Sequence, residues 1–216
     1  MEQFSYSKLE LYHNCGFKYK IKYVDKISFF AQTIATSLGT YVHAIEEDIA
    51  NAIKAKEPIN YIALKNRLIL QMYELEHKFP EAFEELDKSN RKYREKIYEY
   101  LESGIYRLEA FMKANPTYEI VGAEENFLIE FEDVKFKGII DRVIRDTATG
   151  KYIIHDIKTW AVPKEAKELT TPLQFVVYVL AAKHLYGVEA DQVECAYDLP
   201  FCNTIQAAGT KGYMTR

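Results

Sequence analysis

The chain has 216 residues, of which 48% are hydrophobic, 14% aromatic and 28% charged. With 17 Tyr and 12 Phe it carries too many buriable rings for a disordered chain, and 9 Gly with 6 Pro exclude a collagen-like or low-complexity one. The net charge of −4 lacks the basic excess of many nucleic-acid binders, although a local basic face can sit on an acidic protein.

The length suits a single domain over 1–216 with a sizeable core. Three cysteines, odd in number and far apart, make no disulfide framework and suit a reducing cytoplasm. Met1 to Ser5 shows no basic region leading into an apolar run, and the stretch from Phe175 to Ala182 is too short to span a bilayer. The expectation is a soluble, cytoplasmic protein with no membrane partner.

In chain order, residues 5–20 read as a short helix capped by Ser5 or Ser7, with Leu9, Tyr12 and Phe17 as an imperfect apolar stripe. Residues 21–36 look irregular. Val42, Ile45, Ile49 and Ile53 predict a helix over about 38–54, and Leu64, Leu68 and Leu75 another over 61–78. A long charged helix is predicted over 90–114, stopped by Asn115-Pro116. The period then changes. Residues 118–131, 134–145 and 151–158 carry the bias of strands, with turn chemistry over 146–150. Thr171-Pro172 opens a helix that Gly187 can end, and a last strand covers 192–199. The result is an α/β chain: a helical part over about 1–115, then a sheet core over about 116–200. The tail after Pro200 shows no closing element, which leaves open a longer natural chain.

Side chains alternate along a strand, so Asp156 and Lys158 share a face with Ile154. Folding the hairpin about residues 146–150 sets Asp141 roughly opposite Asp156, where cross-strand Cβ atoms lie about 4.5–5.5 Å apart. Two carboxylates so close repel unless a cation sits between them, and oxygen ligands suit Mg²⁺ or Mn²⁺. A lysine on the same face can orient water and offset charge developing on a phosphate. The plain alternative is a set of surface ion pairs. Ile139-Ile140 and Ile153-Ile154 favour a central strand pair over an exposed edge.

Gly138-Ile139-Ile140-Asp141-Arg142, followed by Asp156-Ile157-Lys158-Thr159, resembles the GxxDR and DxKT motifs of the PD-(D/E)XK nuclease superfamily, in its RecB-like exonuclease branch. Three further matches fall in the same order as in that branch. Gly39 to Glu46 resembles its upstream helix with glycine, histidine and glutamate. Gln174 to Tyr178 resembles its QxxxY helix. Ser5 to Phe17 resembles its N-terminal opening, with Gly16 where proline is usual. The matches run from Ser5 to Tyr178.

The resemblance implies a restriction-endonuclease-like core, a central mixed sheet flanked by helices, and a metal-dependent DNA nuclease of exonuclease type acting in recombination, repair or phage DNA processing. It implies that His43, Asp141 and Asp156 ligate Mg²⁺ or Mn²⁺ with the Ile157 carbonyl, and that Lys158 positions the attacking water. Glu124 matches a glutamate that often precedes the GxxDR strand, and the adjacent Glu125 stays open. Gln174 and Tyr178, at i and i+4, would contact DNA or brace the site. DNA is the implied partner, with a helicase or a single-strand annealing protein beside it. Oligomeric state is not specified.

Each residue also has a structural reading. His43 lies on an apolar helix face where core or interface histidines are common. Gln174 completes a capping box with Thr171. Tyr178 suits a core, and Glu46 and Glu47 suit a helix surface, with Glu46 also able to support the site. Cys15, Cys195 and Cys202 cannot complete a four-thiolate cluster within the chain, so no iron–sulfur cluster is expected in it, the alternative being further ligands past residue 216. Phosphate contacts would come from Lys18, Lys20, Lys22 and Lys26, from Lys88, Arg91, Lys92, Arg94 and Lys96, or from Lys164 and Lys167; each group also reads as solvated surface. The rival functions are a catalytically silent DNA-binding scaffold of the same fold and a metal hydrolase of another substrate. An H-E-x-x-H zinc motif is missing from the sequence.

Overall fold

A computed structural model describes residues 2–27, 34–88, 93–131, 134–159, 173–202, 204–207 and 213–214. Strand β1 (Glu2–Phe4) is followed by helices α1 (Tyr6–Asn14) and α2 (Gly16–Tyr19), then a π-helical turn over Lys20–Val24. Helices α3 (Ile34–Ala55), α4 (Tyr61–Lys78), α5 (Pro80–Lys88), α6 (Tyr93–Glu102) and α7 (Arg107–Ala114) complete the helical half. Strands β2 (Tyr118–Phe131), β3 (Val134–Asp146) and β4 (Tyr152–Ile157) follow, then α8 (Leu173–Tyr186), β5 (Val193–Leu199), β6 (Thr204–Ala207) and β7 (Tyr213–Met214).

The seven strands form one mixed sheet in the order β1-β3-β4-β5-β6-β7, with β2 paired along the other side of β3. The β2–β3 and β3–β4 pairs are antiparallel, whereas β4 and β5 run parallel and are joined through α8. That crossover accounts for β4, in which Ile153 to Ile157 are all buried: both its faces are covered. On one face, α3 sets Leu38, Val42, Ile45 and Ile49 at helical spacing against Ile144 and Ile153, with α4, α6 and α7 behind. On the other, Phe175, Tyr178 and Ala181 of α8 pack on Ile140, Val143 and Ile154. Among the described residues no helix is long and apolar enough to cross a membrane.

The predicted helix over 5–20 breaks at Cys15, whose extended backbone ends α1. Ser5 is the cap, accepting from the Lys8 amide at 3.3 Å. The predicted helix over 90–114 breaks at Gly104, against which Tyr100 and the Pro200 carbonyl pack so closely that a Cβ would lie 2.8 and 3.0 Å away. The tail read as featureless holds β6 and β7, and β1 and α5 are further additions. The predicted cap at Thr171-Pro172 lies outside the described residues.

Candidate active site

The β3–β4 hairpin closes with the Asp146 amide donating to the Lys151 carbonyl at 2.8 Å, and pairs Arg142 with His155. The paired stretch ends there, and Asp141 and Asp156 are the next residues on the two strands. The motif glycine has a packing cause. Gly138 pairs with Phe127 of β2, and a Cβ there would lie 2.5 Å from the Phe127 ring.

Strict alternation fails at the site itself. Asp141 and Arg142, although consecutive, both reach α3: Asp141 Oδ1 lies 3.7 Å from His43 Nδ1, and Arg142 Nη2 donates to Glu46 Oε2 at 2.9 Å. Across on β2, Glu124 takes a left-handed backbone (φ 46°), unusual for a non-glycine residue within a strand. That twist sends Glu124 Oε1 to within 3.8 Å of His43 Nδ1. Glu125 turns the other way, toward Gly122 and Tyr186. Such local strain clusters at functional sites.

His43, Glu124 and Asp141 thus offer ligand atoms that all lie within 4.8 Å of one another. They line an open cleft of about 600 Å³, with Thr36, Gly39, Thr40 and Glu47 of α3 and Ile139 of β3 as further walls. One imidazole nitrogen with hard carboxylate oxygens suits Mg²⁺ or Mn²⁺. The electrostatics fit a cation as well. Burial first, and then the Asp156 charge, push the Asp141 carboxyl up to about 6 against the opposing pull of His43, the Ile157 amide and Lys158. Burial alone would lower His43, but the Glu124 hydrogen bond and the Asp141 and Glu124 charges outweigh it and raise His43 above its ordinary value.

Asp156 lies outside the His43–Glu124–Asp141 group and has its own partners. Its Oδ1 accepts from Gln174 Nε2 at 2.8 Å and from the Tyr178 hydroxyl at 3.2 Å, and its Oδ2 pairs with Lys158 Nζ at 2.7 Å. Gln174 also donates to the Tyr178 hydroxyl at 2.8 Å. Tyr178 is buried and Gln174 half-buried, and both are hydrogen-bonded to Asp156. The Ile157 amide donates to Asp141 Oδ2 at 2.5 Å, tying the two strands together at the site.

Glu46 is corrected from surface to core. It accepts from the Tyr100 hydroxyl at 2.9 Å and pairs with Arg142 and Arg107. Both arginines also hold Asp198, each at 2.7 Å. His155 lies against the same group, 3.4 Å from Arg142 Nη1, and burial pushes it down to about 3, so it is neutral. This network stands behind four of the site residues: Glu46 is one helical turn from His43, Arg142 follows Asp141, His155 precedes Asp156, and the Asp198 carbonyl accepts the Lys158 amide at 2.8 Å. Sequence reasoning missed Tyr100, Arg107, His155 and Asp198. The available signal was charge inside apolar periodicity, as with Glu46 beside Val42, Ile45 and Ile49.

The basic groups also sort. Arg94 and Lys96 are ion-paired with Glu76 and Glu99, and Lys20 with Asp25. Arg91, Lys92, Lys164 and Lys167 lie outside the described residues, as does the side chain of Lys88. Cys15, Cys195 and Cys202 are free thiols.

A carboxylate–imidazole pocket beside a lysine, on the rim of a mixed sheet, is a centre suited to metal-assisted hydrolysis. The model of the PD-(D/E)XK nuclease superfamily matches residues 3–206, and the chain belongs to that superfamily. A search of curated proteins finds no match to it.

Proposed function

We propose that the chain is a Mg²⁺- or Mn²⁺-dependent DNA nuclease of the RecB-like branch, an exonuclease working in recombination, repair or phage DNA processing. The observation that carries this reading is the convergence of His43, Glu124 and Asp141 within 4.8 Å, in a cleft of a superfamily member. A bound divalent ion supplies Lewis acidity toward the phosphate and lowers the pKa of a coordinated water. His43, Glu124 and Asp141 would hold the ion. Asp156 joins them or fixes Lys158, whose ammonium offsets negative charge on the attacked phosphate. Gln174 and Tyr178 hold the Asp156 carboxylate in place. The water oxygen bonds to phosphorus and gives up a proton to solvent, the bond to the leaving 3′-oxygen breaks, and that oxygen takes a proton from solvent, leaving a 5′-phosphate and a 3′-hydroxyl.

The test is cleavage of end-labelled linear and covalently closed circular DNA with Mg²⁺ or Mn²⁺. Asp141→Asn and Lys158→Ala are each expected to lower the rate by about 100-fold or more, and chelator to abolish it. Resistance of the circle marks an exonuclease. DNA binding without cleavage under both metals would sink the reading and leave a scaffold.

A further inference from the structure

The start of the chain presents an uncommon surface. Helices α1 and α2 and the π-helical turn contain no buried residue, yet carry Tyr6, Tyr12, Phe17, Tyr19 and Tyr23. Three rings form a row: Tyr12 meets Tyr19 edge-on at 5.2 Å, and Tyr19 meets Tyr23 at 5.4 Å. Lys8 Nζ lies 4.6 Å from the Phe4 ring centre and 5.9 and 5.8 Å from those of Tyr19 and Tyr23. Tyr12 is 61% exposed and Phe17 71%. From Gly16 to Ile27 there are four lysines (18, 20, 22 and 26) against one acid, Asp25, on a chain of net charge −4. Lys18 and Lys26 are exposed.

This segment packs beside elements that carry the candidate site. Strand β1 pairs with β3, and Phe4 meets Phe136 at 6.3 Å. Helix α1 packs beside α8, the helix that carries Gln174 and Tyr178. The Asp156 charge reaches the Tyr6 hydroxyl and contributes to its upward shift, after burial and the bond to Glu10.

Exposed rings beside lysines match two features of one ligand. Unpaired bases offer π faces for stacking, and their backbone offers phosphates. A duplex offers phosphates but hides its base faces. An anionic bilayer would also take lysines and rings, but the packing of α1 beside α8, the helix whose Gln174 and Tyr178 hold Asp156, favours nucleic acid. We propose that the segment from Tyr6 to Ile27 is a track for single-stranded DNA leading to the site, with bases stacking on Tyr12 and Phe17 and phosphates on Lys18 and Lys26. The track deepens the nuclease reading and rests on it for its substrate.

The test measures binding of a fluorescent oligothymidylate and of a hairpin duplex of equal length, in chelator so that nothing is cut. Phosphatidylserine vesicles serve as a third ligand. The wild type is expected to prefer the single strand. Tyr12→Ala with Phe17→Ala is expected to weaken oligothymidylate binding by about tenfold or more and to leave duplex binding unchanged. Tyr12→Phe with Phe17→Tyr keeps the rings and is expected to bind like wild type. Lys18→Gln with Lys26→Gln is expected to reduce the salt slope by about one to two. All six side-chain changes are at exposed positions, so the variants should retain the wild-type circular dichroism spectrum. Wild-type binding by the alanine pair, an equal loss on both DNAs, a duplex preference, or binding to vesicles in place of oligothymidylate overturns the track. A parallel cleavage assay with Mn²⁺ separates the two readings. Cleavage by the wild type with no effect of the ring variants on binding overturns the track alone. Ring-dependent binding of the single strand without cleavage supports the track and overturns the nuclease.

Discussion

His155 shows how one buried side chain sets a pH dependence. Burial holds it neutral, with a folded-state value of about 3 against an ordinary 6.5. The unfolded chain therefore takes up a proton first as pH falls. Stability unaffected above pH 6.5 is lost progressively below it, by up to about 1.4 kcal/mol per pH unit from this group. Asp141 acts in the opposite sense, because its folded-state value of about 6 lies above the ordinary 3.8. Comparing wild type with His155→Gln cancels the Asp141 contribution. Urea unfolding between pH 7 and 4 should show a shallower loss in the variant; parallel curves would refute the assignment. Neither shift could be anticipated from the sequence, because each depends on neighbours distant along the chain.

Elements were legible where local periodicity and turn chemistry agreed. The β3–β4 register followed from the 146–150 turn, and the α3 stripe from Val42, Ile45 and Ile49. Breaks imposed from outside were not legible. Gly104 interrupts its helix because Tyr100 and Pro200 close on it, and Pro200 is far along the chain. Strand β1 has only three residues, Glu2–Phe4, and becomes a strand through its pairing with Val134–Phe136. The twist at Glu124 breaks the period-2 rule on β2, so alternation along that strand could not separate Glu124 from Glu125. Packing also explains the Gly138 motif position: Gly138→Ala should cost about 1–3 kcal/mol by overpacking against Phe127, measured by thermal melting. Phe127→Leu in the same chain should recover part of that loss; no recovery would point to another cause.

At the scale of the molecule, the buried network joins α3, α6, α7, β3, β4 and β5. Two arginines face two carboxylates, Glu46 and Asp198, so formal charge balances while His155 stays neutral. Buried pairs of this kind seldom add net stability, yet removing one member leaves a charge uncompensated. Arg107→Met should therefore cost about 3–5 kcal/mol, a fall in Tm of roughly 10 °C for a chain of this length. A melt within about 2 °C of wild type would show that the network carries little of the fold. Fold class and the order of the motifs could be read from the sequence. The network could not, since its members lie on elements whose meeting only the tertiary structure fixes.

The hydrogen bond from the Ile157 amide to Asp141 has a spectroscopic consequence. An amide proton facing a carboxylate changes its chemical shift when that carboxylate gains or loses a proton, so one backbone resonance can serve as an internal indicator. In metal-free protein the Ile157 signal should titrate with a midpoint near 6, following Asp141. Under the proposed metal role, adding Mg²⁺ should flatten that titration above pH 5 by keeping Asp141 ionised. The occupancy of the site could then be followed in the absence of any substrate, from a single peak.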